Sequence, residues 1–326
     1  MKKLLSVILS LLLLLSAVAA CAPKEAALPD VTVRLAGMKG PTTMGLVKLL
    51  DDNAEGLTKV KYDFSLKGAA DEIVPLLSKG ELDIAAVPAN VASVVYNRTN
   101  GAVSVLAINT LGVLYVVERG ETINSVADLK GKTIYATGKG TTPEFSLRHI
   151  LKANNLDPDK DVTLEFMGEA TEVVAKLSQK PGAVAMLPQP YVTVASQKIS
   201  DLSTRLDLNA EWNKVSSDSR MVTGVVIARN EFIEQYPETV KAFLDEYKAS
   251  VDFVNKDNAA AAELIAEIGI VEKAPIAQKA LPHCNITFIE GDELKAALSG
   301  YLKVLYENNP AAVGGALPQD NFYYAR

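Results

Sequence analysis

Short apolar runs and longer segments with helical spacing follow one another along this chain. Runs rich in β-branched and small apolar residues, such as 31–36 and 82–87, are separated by segments such as 69–79, where apolar residues recur every three or four positions. Strands that alternate with helices are typical of parallel sheets whose strands are joined by helical crossovers. The pattern therefore predicts an α/β fold.

Two similar series of elements follow from this pattern. The first comprises strands at 31–36, 60–66, 82–87 and 103–109 and helices at 43–52, 69–79 and from Pro88 onwards. The second comprises strands at 113–117, 133–136, 162–166 and 183–187 and helices at 143–154 and 171–179. The rest of the chain is predicted to form a strand at 221–228 and helices at 237–256, 258–267 and 292–307.

The two series predict two lobes joined by a hinge. Apolar residues between Val240 and Val254 recur on one face of the predicted helix 237–256, so this helix should pack on the first sheet. We therefore assign residues 31–112 and 229–326 to a first lobe and residues 113–228 to a second lobe. The chain would cross between the lobes near 111–118 and near 222–229. Two such crossings make a hinge that can close over a ligand.

The N-terminus has the features of an export signal. Lys2 and Lys3 precede an almost wholly apolar segment, which predicts that residues 1–20 are a signal peptide. The sequence VAAC at 18–21 resembles a lipobox, which implies acylation of Cys21 and a lipid anchor at the extracytoplasmic face of the cell membrane. Residues 21–30 would form the tether. The alternative is an ordinary signal peptide, with Cys21 uninvolved.

Charge and cysteine content narrow the function. The net charge is −6, and acidic and basic residues are interspersed, which argues against nucleic acid as a partner. Cys284 is the only cysteine besides Cys21, so acylation of Cys21 excludes an internal disulfide. His149 and His283 are far apart and lack a companion at ligand spacing. We therefore expect neither a metal nor any other cofactor.

Three segments carry a resemblance to a known family. They are GELDIA at 80–85, INSVADLKGKTI at 123–134 and VIARNEFIEQYPE at 226–238. In this order they resemble the solute-binding lipoproteins of ABC importers, in the branch that includes nitrate, sulfonate, taurine and thiamine-precursor binders. The resemblance implies a two-lobed periplasmic-binding-protein-like type II fold with a hinged cleft. It also implies a monomer whose partners are a small-molecule solute and a complex of permease and ATPase.

Four strand–helix junctions are candidates for the binding site, because ligands of open α/β sheets bind where strands end and helices begin. Two of them echo each other in sequence, KGPTT at 39–43 and KGTTP at 139–143. The residues expected to bind the ligand are Lys39, Thr42, Thr43, Met44, Pro88, Asn90, Thr141, Thr142, Gln189 and Tyr191, joined by Asn109 and Arg220 from neighbouring segments.

The side chains at these junctions leave the ligand chemistry open. Lys39, Lys139 and Arg220 would suit an anionic group held at helix N-termini. Tyr191 would instead suit a ring stacked on its face. Threonine, asparagine and proline at such junctions also cap helices in proteins that bind nothing there, which is the structural alternative.

We expect a receptor that captures its solute by hinge closure and catalyses no reaction. An enzyme on the same scaffold is one alternative, but the sequence has no nucleophile elbow, metal-ligand spacing or phosphate-binding loop. His149 is the one candidate base, and it falls inside a predicted helix. A solute-sensing receptor with the same two lobes is the other alternative, since one fold hosts many functions.

Overall fold

The computed structural model describes residues 28–216 and 218–326 of the chain. The predicted signal peptide, Cys21 and most of the predicted tether lie outside these residues. Residues Val31–Arg326 form one unit. Strands and helices alternate through most of it, so the α/β class predicted from the apolar pattern is confirmed.

The first series of elements in this unit runs from the first strand to the end of the fourth. Its strands are β1 (Thr32–Met38), β2 (Lys61–Lys67), β3 (Ile84–Pro88) and β4 (Val103–Leu111). Its helices are α1 (Pro41–Met44), α2 (Val47–Ala54), α3 (Ala70–Ser78) and α4 (Ala89–Arg98).

A second series repeats this order. Its strands are β5 (Leu114–Arg119), β6 (Thr133–Ala136), β7 (Thr163–Phe166), β8 (Val184–Pro188) and β9 (Leu202–Asp207). Its helices are α5 (Thr142–Ala153), α6 (Ala170–Gln179), α7 (Tyr191–Lys198) and α8 (Leu208–Val215), and a short 3-10 helix spans Val126–Leu129.

The C-terminal part is mainly helical. It contains strands β10 (Val222–Arg229) and β11 (Ile286–Ile289) and helices α9 (Asn230–Gln235), α10 (Pro237–Lys256), α11 (Asn258–Glu267), α12 (Ala274–Ala280) and α13 (Gly291–Asn308). Short 3-10 helices lie at Leu281–His283, Pro310–Val313 and Asp320–Phe322. Among the residues described, no helix is both long enough and apolar enough to span a membrane.

The strands form two sheets. One has six strands in the order β11-β4-β10-β3-β1-β2, and the other has five in the order β7-β6-β8-β5-β9. In the six-stranded sheet β10 runs antiparallel to β3, and in the five-stranded sheet β5 runs antiparallel to β8. We call the elements of the six-stranded sheet with their helices the first lobe, and those of the five-stranded sheet the second lobe. The strand order β2-β1-β3-β10 in the first lobe thus corresponds to the order β7-β6-β8-β5 in the second lobe.

The crossings between the sheets lie side by side. The first runs from β4 to β5 through Gly112 and Val113. The second follows α8 and ends at β10, where Val222 pairs with Leu111 of β4. Strand β10 lies wholly in the six-stranded sheet, so the second crossing precedes Val222. The predicted range 113–228 of the second lobe includes the hinge crossings, and the part of it in β10 lies between β3 and β4 of the six-stranded sheet.

One predicted helix, 43–52, is broken into α1 and α2 around Gly45. The Gly45 carbonyl accepts a hydrogen bond from Ser250 Oγ of α10 at 2.7 Å, and the same Oγ accepts from Leu49 N at 3.0 Å. A Cβ on Gly45 would lie 2.9 Å from Val251 Cγ2. Close packing against α10 therefore diverts the backbone here, which hydrophobic periodicity alone does not indicate.

A buried ion pair ties three strands of the first lobe together. Asp83, whose side chain is 3% exposed, accepts hydrogen bonds from Arg34 Nε at 2.8 Å and from Arg229 Nη2 at 2.8 Å. Burial by itself raises the pKa of Asp83, but the hydrogen bonds from both arginines outweigh it, so the pKa is lowered. The carboxylate of Asp83, directly before β3, is thus fully paired within the fold.

Candidate ligand-binding site

A cleft of about 370 Å³ lies where strands of both sheets end and helices begin. Its walls come from the loops after β1, β2 and β3 of the first lobe and from those after β6, β7 and β8 of the second lobe. This is the position at which open α/β sheets bind ligands. The carboxyl ends of the strands therefore converge on one space between the lobes.

Five of the residues expected to bind the ligand line this cleft. Four of them come from the two echoing junctions and from the end of β3, and the fifth from the start of α7. They are Lys39, Thr42, Pro88, Thr141 and Tyr191. Glycine, proline and methionine account for much of the remaining wall, so backbone atoms are accessible in the cleft.

The other predicted residues are engaged inside the protein. In the first lobe Thr43 is fully buried and its Oγ1 donates to the carbonyl of Met38 at 2.6 Å. Met44 is fully buried in the core. Asn109 Nδ2 donates to the carbonyl of Thr42 at 3.0 Å, and so it holds a cleft residue from behind.

Two further predicted residues contact each other across the lobes. Thr142 Oγ1, at the start of α5, donates to Asn90 Oδ1 of α4 at 3.2 Å. Asn90 Nδ2 also donates to the carbonyl of Gly140 at 3.3 Å and to that of Ala312 at 3.0 Å. Both side chains are fully buried. Asn90 and Thr142 therefore join the lobes beside the cleft.

Two predicted residues lie apart from the cleft lining. Gln189 Oε1 accepts hydrogen bonds from Thr193 N and Oγ1. Arg220 forms an exposed ion pair with Glu293 at 2.9 Å, and both side chains are more than half exposed. The structure therefore does not bring the Arg220 guanidinium to the cleft, where an anion would need it.

Two junctions that the sequence does not predict as binding segments also line the cleft. They are Gly68–Ala69–Ala70–Asp71 after β2 and Met167–Gly168–Glu169–Ala170 after β7. The signal was present in the sequence, since each contains a glycine with a glutamate four residues later, Gly68 with Glu72 and Gly168 with Glu172. In both cases the glycine N–H donates to that carboxylate.

Thr223 is the second omission, and it comes from the strand that follows the second crossing. It lines the cleft and is 7% exposed, and its Oγ1 has no hydrogen-bond partner among the described residues. An unsatisfied buried hydroxyl costs about 1 to 3 kcal/mol, so a hydrogen-bond partner for it would stabilise the protein. No sequence pattern marks this position, because it lies within an apolar strand.

Gly224 shapes the floor of the cleft next to Thr223. A Cβ at this position would lie 2.6 Å from Asn109 Oδ1 and would also overlap the Thr42 side chain. Only a residue without a side chain lets Thr42 and Asn109 approach β10 so closely.

Tyr191 is the aromatic residue of the cleft wall. Its side chain is 9% exposed, and burial raises the pKa of its phenol, with a smaller contribution from the charge of Glu169. The phenol therefore stays protonated at neutral pH and can donate a hydrogen bond.

The two histidines and the free cysteine do not line the cleft. His149 Nε2 lies 2.7 Å from Ser216 Oγ, its Nδ1 lies 2.9 Å from Asn308 Nδ2, and its ring packs on Trp212. Burial lowers the pKa of His149 and raises that of the Cys284 thiol. Within residues 28–216 and 218–326, no group of three potential ligands is placed to hold a metal ion.

The fold is that of periplasmic binding proteins. The crystal structure of an ABC transporter protein from Parabacteroides distasonis superposes with a TM-score of 0.75 at 24% identity, covering 91% of this chain and all of that chain. The periplasmic aliphatic sulphonate binding protein SsuA from Escherichia coli gives a TM-score of 0.72 at 16% identity, covering 91% and 92%. The alkanesulfonate-binding protein SsuA from Xanthomonas axonopodis, bound to MOPS, gives 0.69 at 13%, covering 90% and 96%.

The sequence itself matches the family described as NMT1/THI5 like over residues 66–261, and the chain belongs to that family. Relatives from Brucella abortus, named as candidate binding proteins, are 26% identical over 181 residues, which is 56% of this chain and 54% of theirs. This chain thus matches about half the length of those curated relatives. The resemblance found in the sequence is confirmed at the level of family and fold.

Proposed function

We propose that this protein is the solute-binding component of an ABC importer and that it captures a small molecule between its two lobes. The observation that carries the proposal is the cleft between the lobes, whose wall contains the buried and unpartnered hydroxyl of Thr223. A volume of about 370 Å³ suits a small organic solute. Proteins of the same fold carry names such as ABC transporter and sulphonate binding protein, which supports the proposal.

Capture follows from closure about the paired crossings. Solute that binds one lobe stabilises the closed state through contacts that are available only when the other lobe arrives. Thr42 and Thr223 would contact the solute from the first lobe, and Thr141 and Tyr191 from the second. The buried hydrogen bond between Asn90 and Thr142 joins the two lobes beside the cleft.

We propose that the protein binds its solute and catalyses no reaction. The protein would release its solute unchanged to a permease, and the associated ATPase would supply the energy for import. A monomer suffices for this task, because both walls of the cleft come from one chain. We further propose that residues 1–20 direct export and that acylated Cys21 holds the protein at the extracytoplasmic face of the cell membrane.

Two threonines allow a matched test of the cleft. Thr223 and Thr239 are both buried and both have an unpartnered Oγ1, but only Thr223 lines the cleft, since Thr239 lies in α10. Valine at either position removes an unsatisfied hydroxyl, so neither change should lower the free energy of unfolding. Thr223→Val should weaken solute binding by about 1 to 3 kcal/mol, and Thr239→Val should leave it unchanged.

The measurement is native mass spectrometry of residues 22–326, purified gently from the same expression host for the wild type and both variants. We expect an additional small-molecule mass on the wild type and on Thr239→Val, and a much lower occupancy on Thr223→Val. Equal occupancy in all three proteins would reject the role of Thr223. No bound small molecule on any of them, together with no stabilisation by any candidate solute, would reject the proposed function.

A further inference from the structure

The helices that begin at the cleft already hold carboxylates of this chain at their N-termini. Glu72 Oε1 accepts from Gly68 N at 2.9 Å and from Ala69 N at 3.1 Å, directly before α3. Glu172 Oε2 accepts from Gly168 N at 3.1 Å, directly before α6. A helix N-terminus favours one nearby negative charge. At these two helices the protein supplies that charge itself.

The same arrangement recurs at the third long helix of the cleft. Glu144 Oε2, from the first turn of α5, accepts from Gly140 N at 2.7 Å. Glu144 also pairs with Arg148 at 2.8 Å, so its charge is balanced within the helix. The Gly140 amide at this junction is therefore occupied by a carboxylate of the chain.

Two further carboxylates belong to the cleft wall. Asp71 lies in the first turn of α3 and Glu169 directly precedes α6. A Cβ on Gly68 would lie 3.5 Å from Glu169 Oε1, so this carboxylate of the second lobe faces the start of α3 in the first lobe. An anionic solute between these junctions would meet negative charge from both lobes.

The positive charge of the lining only equals its negative charge. Among the described residues that line the cleft, Lys39 and Lys139 are the cations, and both are exposed. They balance Asp71 and Glu169, so the lining carries no net positive charge that would offset the charge of an anion.

We infer that the solute carries no net negative charge, so that it is an uncharged or cationic polar molecule rather than a sulfonate or other free oxyanion. This inference rests on the proposed function and names its substrate class. Recognition would come from hydrogen bonds to the unpartnered Thr223 hydroxyl and to the Tyr191 phenol in the cleft wall. The inference departs from the sulfonate ligands that two of the structural neighbours are named for.

The test compares molecules that share a scaffold and differ in charge. Thermal unfolding and calorimetric titration of residues 22–326 would be measured with nicotinamide and nicotinate, benzamide and benzoate, and ethanesulfonamide and ethanesulfonate. The charge of any co-purified molecule would be determined by mass spectrometry. We expect the co-purified molecule to be uncharged or cationic, and any pair that binds to favour its uncharged member at least tenfold.

A charge-removed variant supplies the second arm. Asp71→Asn combined with Glu169→Gln keeps the shape of the wall and removes two carboxylates, so ethanesulfonate should bind this variant at least tenfold more tightly than the wild type. Wild-type protein that binds ethanesulfonate or an anionic co-purified molecule, and loses it in Lys39→Met/Lys139→Met, would overturn the inference while leaving solute capture intact. Failure of every compound together with the absence of a co-purified molecule would instead reject solute capture and the inference with it.

Discussion

The two echoing junctions, 39–43 in the first lobe and 139–143 in the second, use nearly the same residues for different purposes. Thr42 and Thr142 occupy equivalent positions in sequence. Thr42 lines the cleft and is held from behind by Asn109 Nδ2, whereas Thr142 is fully buried and bonds to Asn90 of the other lobe. Both junctions thus reach the cleft, and the tertiary neighbours of each threonine determine whether its side chain lines the cleft.

The lobes also differ in how their sheets are anchored. The first lobe has the buried carboxylate of Asp83 between Arg34 and Arg229, and the position one hundred residues later in the second lobe is Ala183. The second lobe instead pairs Arg119, which is 15% exposed, with Asp201, which is 55% exposed. We therefore expect the first lobe to be the more sensitive to loss of a charge.

The largest effect should follow from Asp83→Asn. This change leaves two arginines beside a neutral buried amide, and because Arg34 is 40% exposed and solvent screens its charge, we expect a loss of about 3 kcal/mol of unfolding free energy. The matched change in the second lobe, Asp201→Asn, should have a smaller effect, because the Asp201 carboxylate is 55% exposed and solvent screens its charge. Chemical denaturation of the three proteins measures the difference. Equal stability of Asp83→Asn and wild type would contradict the anchoring role.

The stability lost in Asp83→Asn should depend on pH. Because the pKa of Asp83 is lowered in the folded protein, its contribution is present above the unfolded value of about 3.9 and is lost as the pH falls through the folded value. The difference between wild type and variant should therefore shrink below about pH 4. A constant difference down to the point of acid unfolding would show that the charge of Asp83 is not the cause.

Gly224→Ala should have the next largest effect, and it acts on the floor of the cleft. The new Cβ would meet Asn109 Oδ1 and the Thr42 side chain, so overpacking should cost up to about 3 kcal/mol and displace Thr42 from the cleft wall. Gly300→Ala in α13 is the control, since its nearest neighbour would be 3.7 Å away and alanine favours a helix. Thermal unfolding and solute titration read out both effects. Unchanged solute binding in Gly224→Ala would place the solute away from Thr42.

The smallest effect distinguishes the two equivalent threonines directly. Thr142→Val removes the hydrogen bond to Asn90 and should lower the free energy of unfolding by about 1 kcal/mol. Thr42→Val should leave stability nearly unchanged and weaken solute binding. Unfolding curves and solute titrations of both variants measure the effects on stability and on binding. The opposite outcome, with Thr142→Val losing affinity and Thr42→Val losing stability, would show that the lobes use these junctions the other way round.

The sequence was informative about the fold because apolar periodicity is a local property. Helices such as α10 and α11 have the predicted limits, and the inner strands lie within a residue or two of theirs. Strand β9 was not predicted, because this strand at the edge of its sheet is half exposed and therefore lacks an apolar run. The break at Gly45 was missed for a different reason, since it depends on Ser250, two hundred residues away in the chain.

The cleft was predicted less completely than the fold. Glycine-rich junctions after strands are visible in sequence, and this led to Lys39, Thr42, Thr141 and others that line the cleft. Thr223 was not visible, because its importance comes from lacking a partner in the folded chain. Whether a threonine caps, joins the lobes or faces the solute depends on tertiary neighbours, which no local pattern specifies.

Closure of the two lobes over a solute is the central claim, and the distance between the lobes tests it most directly. Spin labels at Lys79→Cys and Gln179→Cys would sit at the ends of α3 and α6, at exposed and equivalent positions of the two lobes, while Cys284 is buried. The distance between the labels would be measured by electron–electron double resonance with and without the solute that co-purifies with the protein. We predict a narrower distribution at shorter distance in the presence of solute. An unchanged distribution at saturating solute would contradict capture by hinge closure.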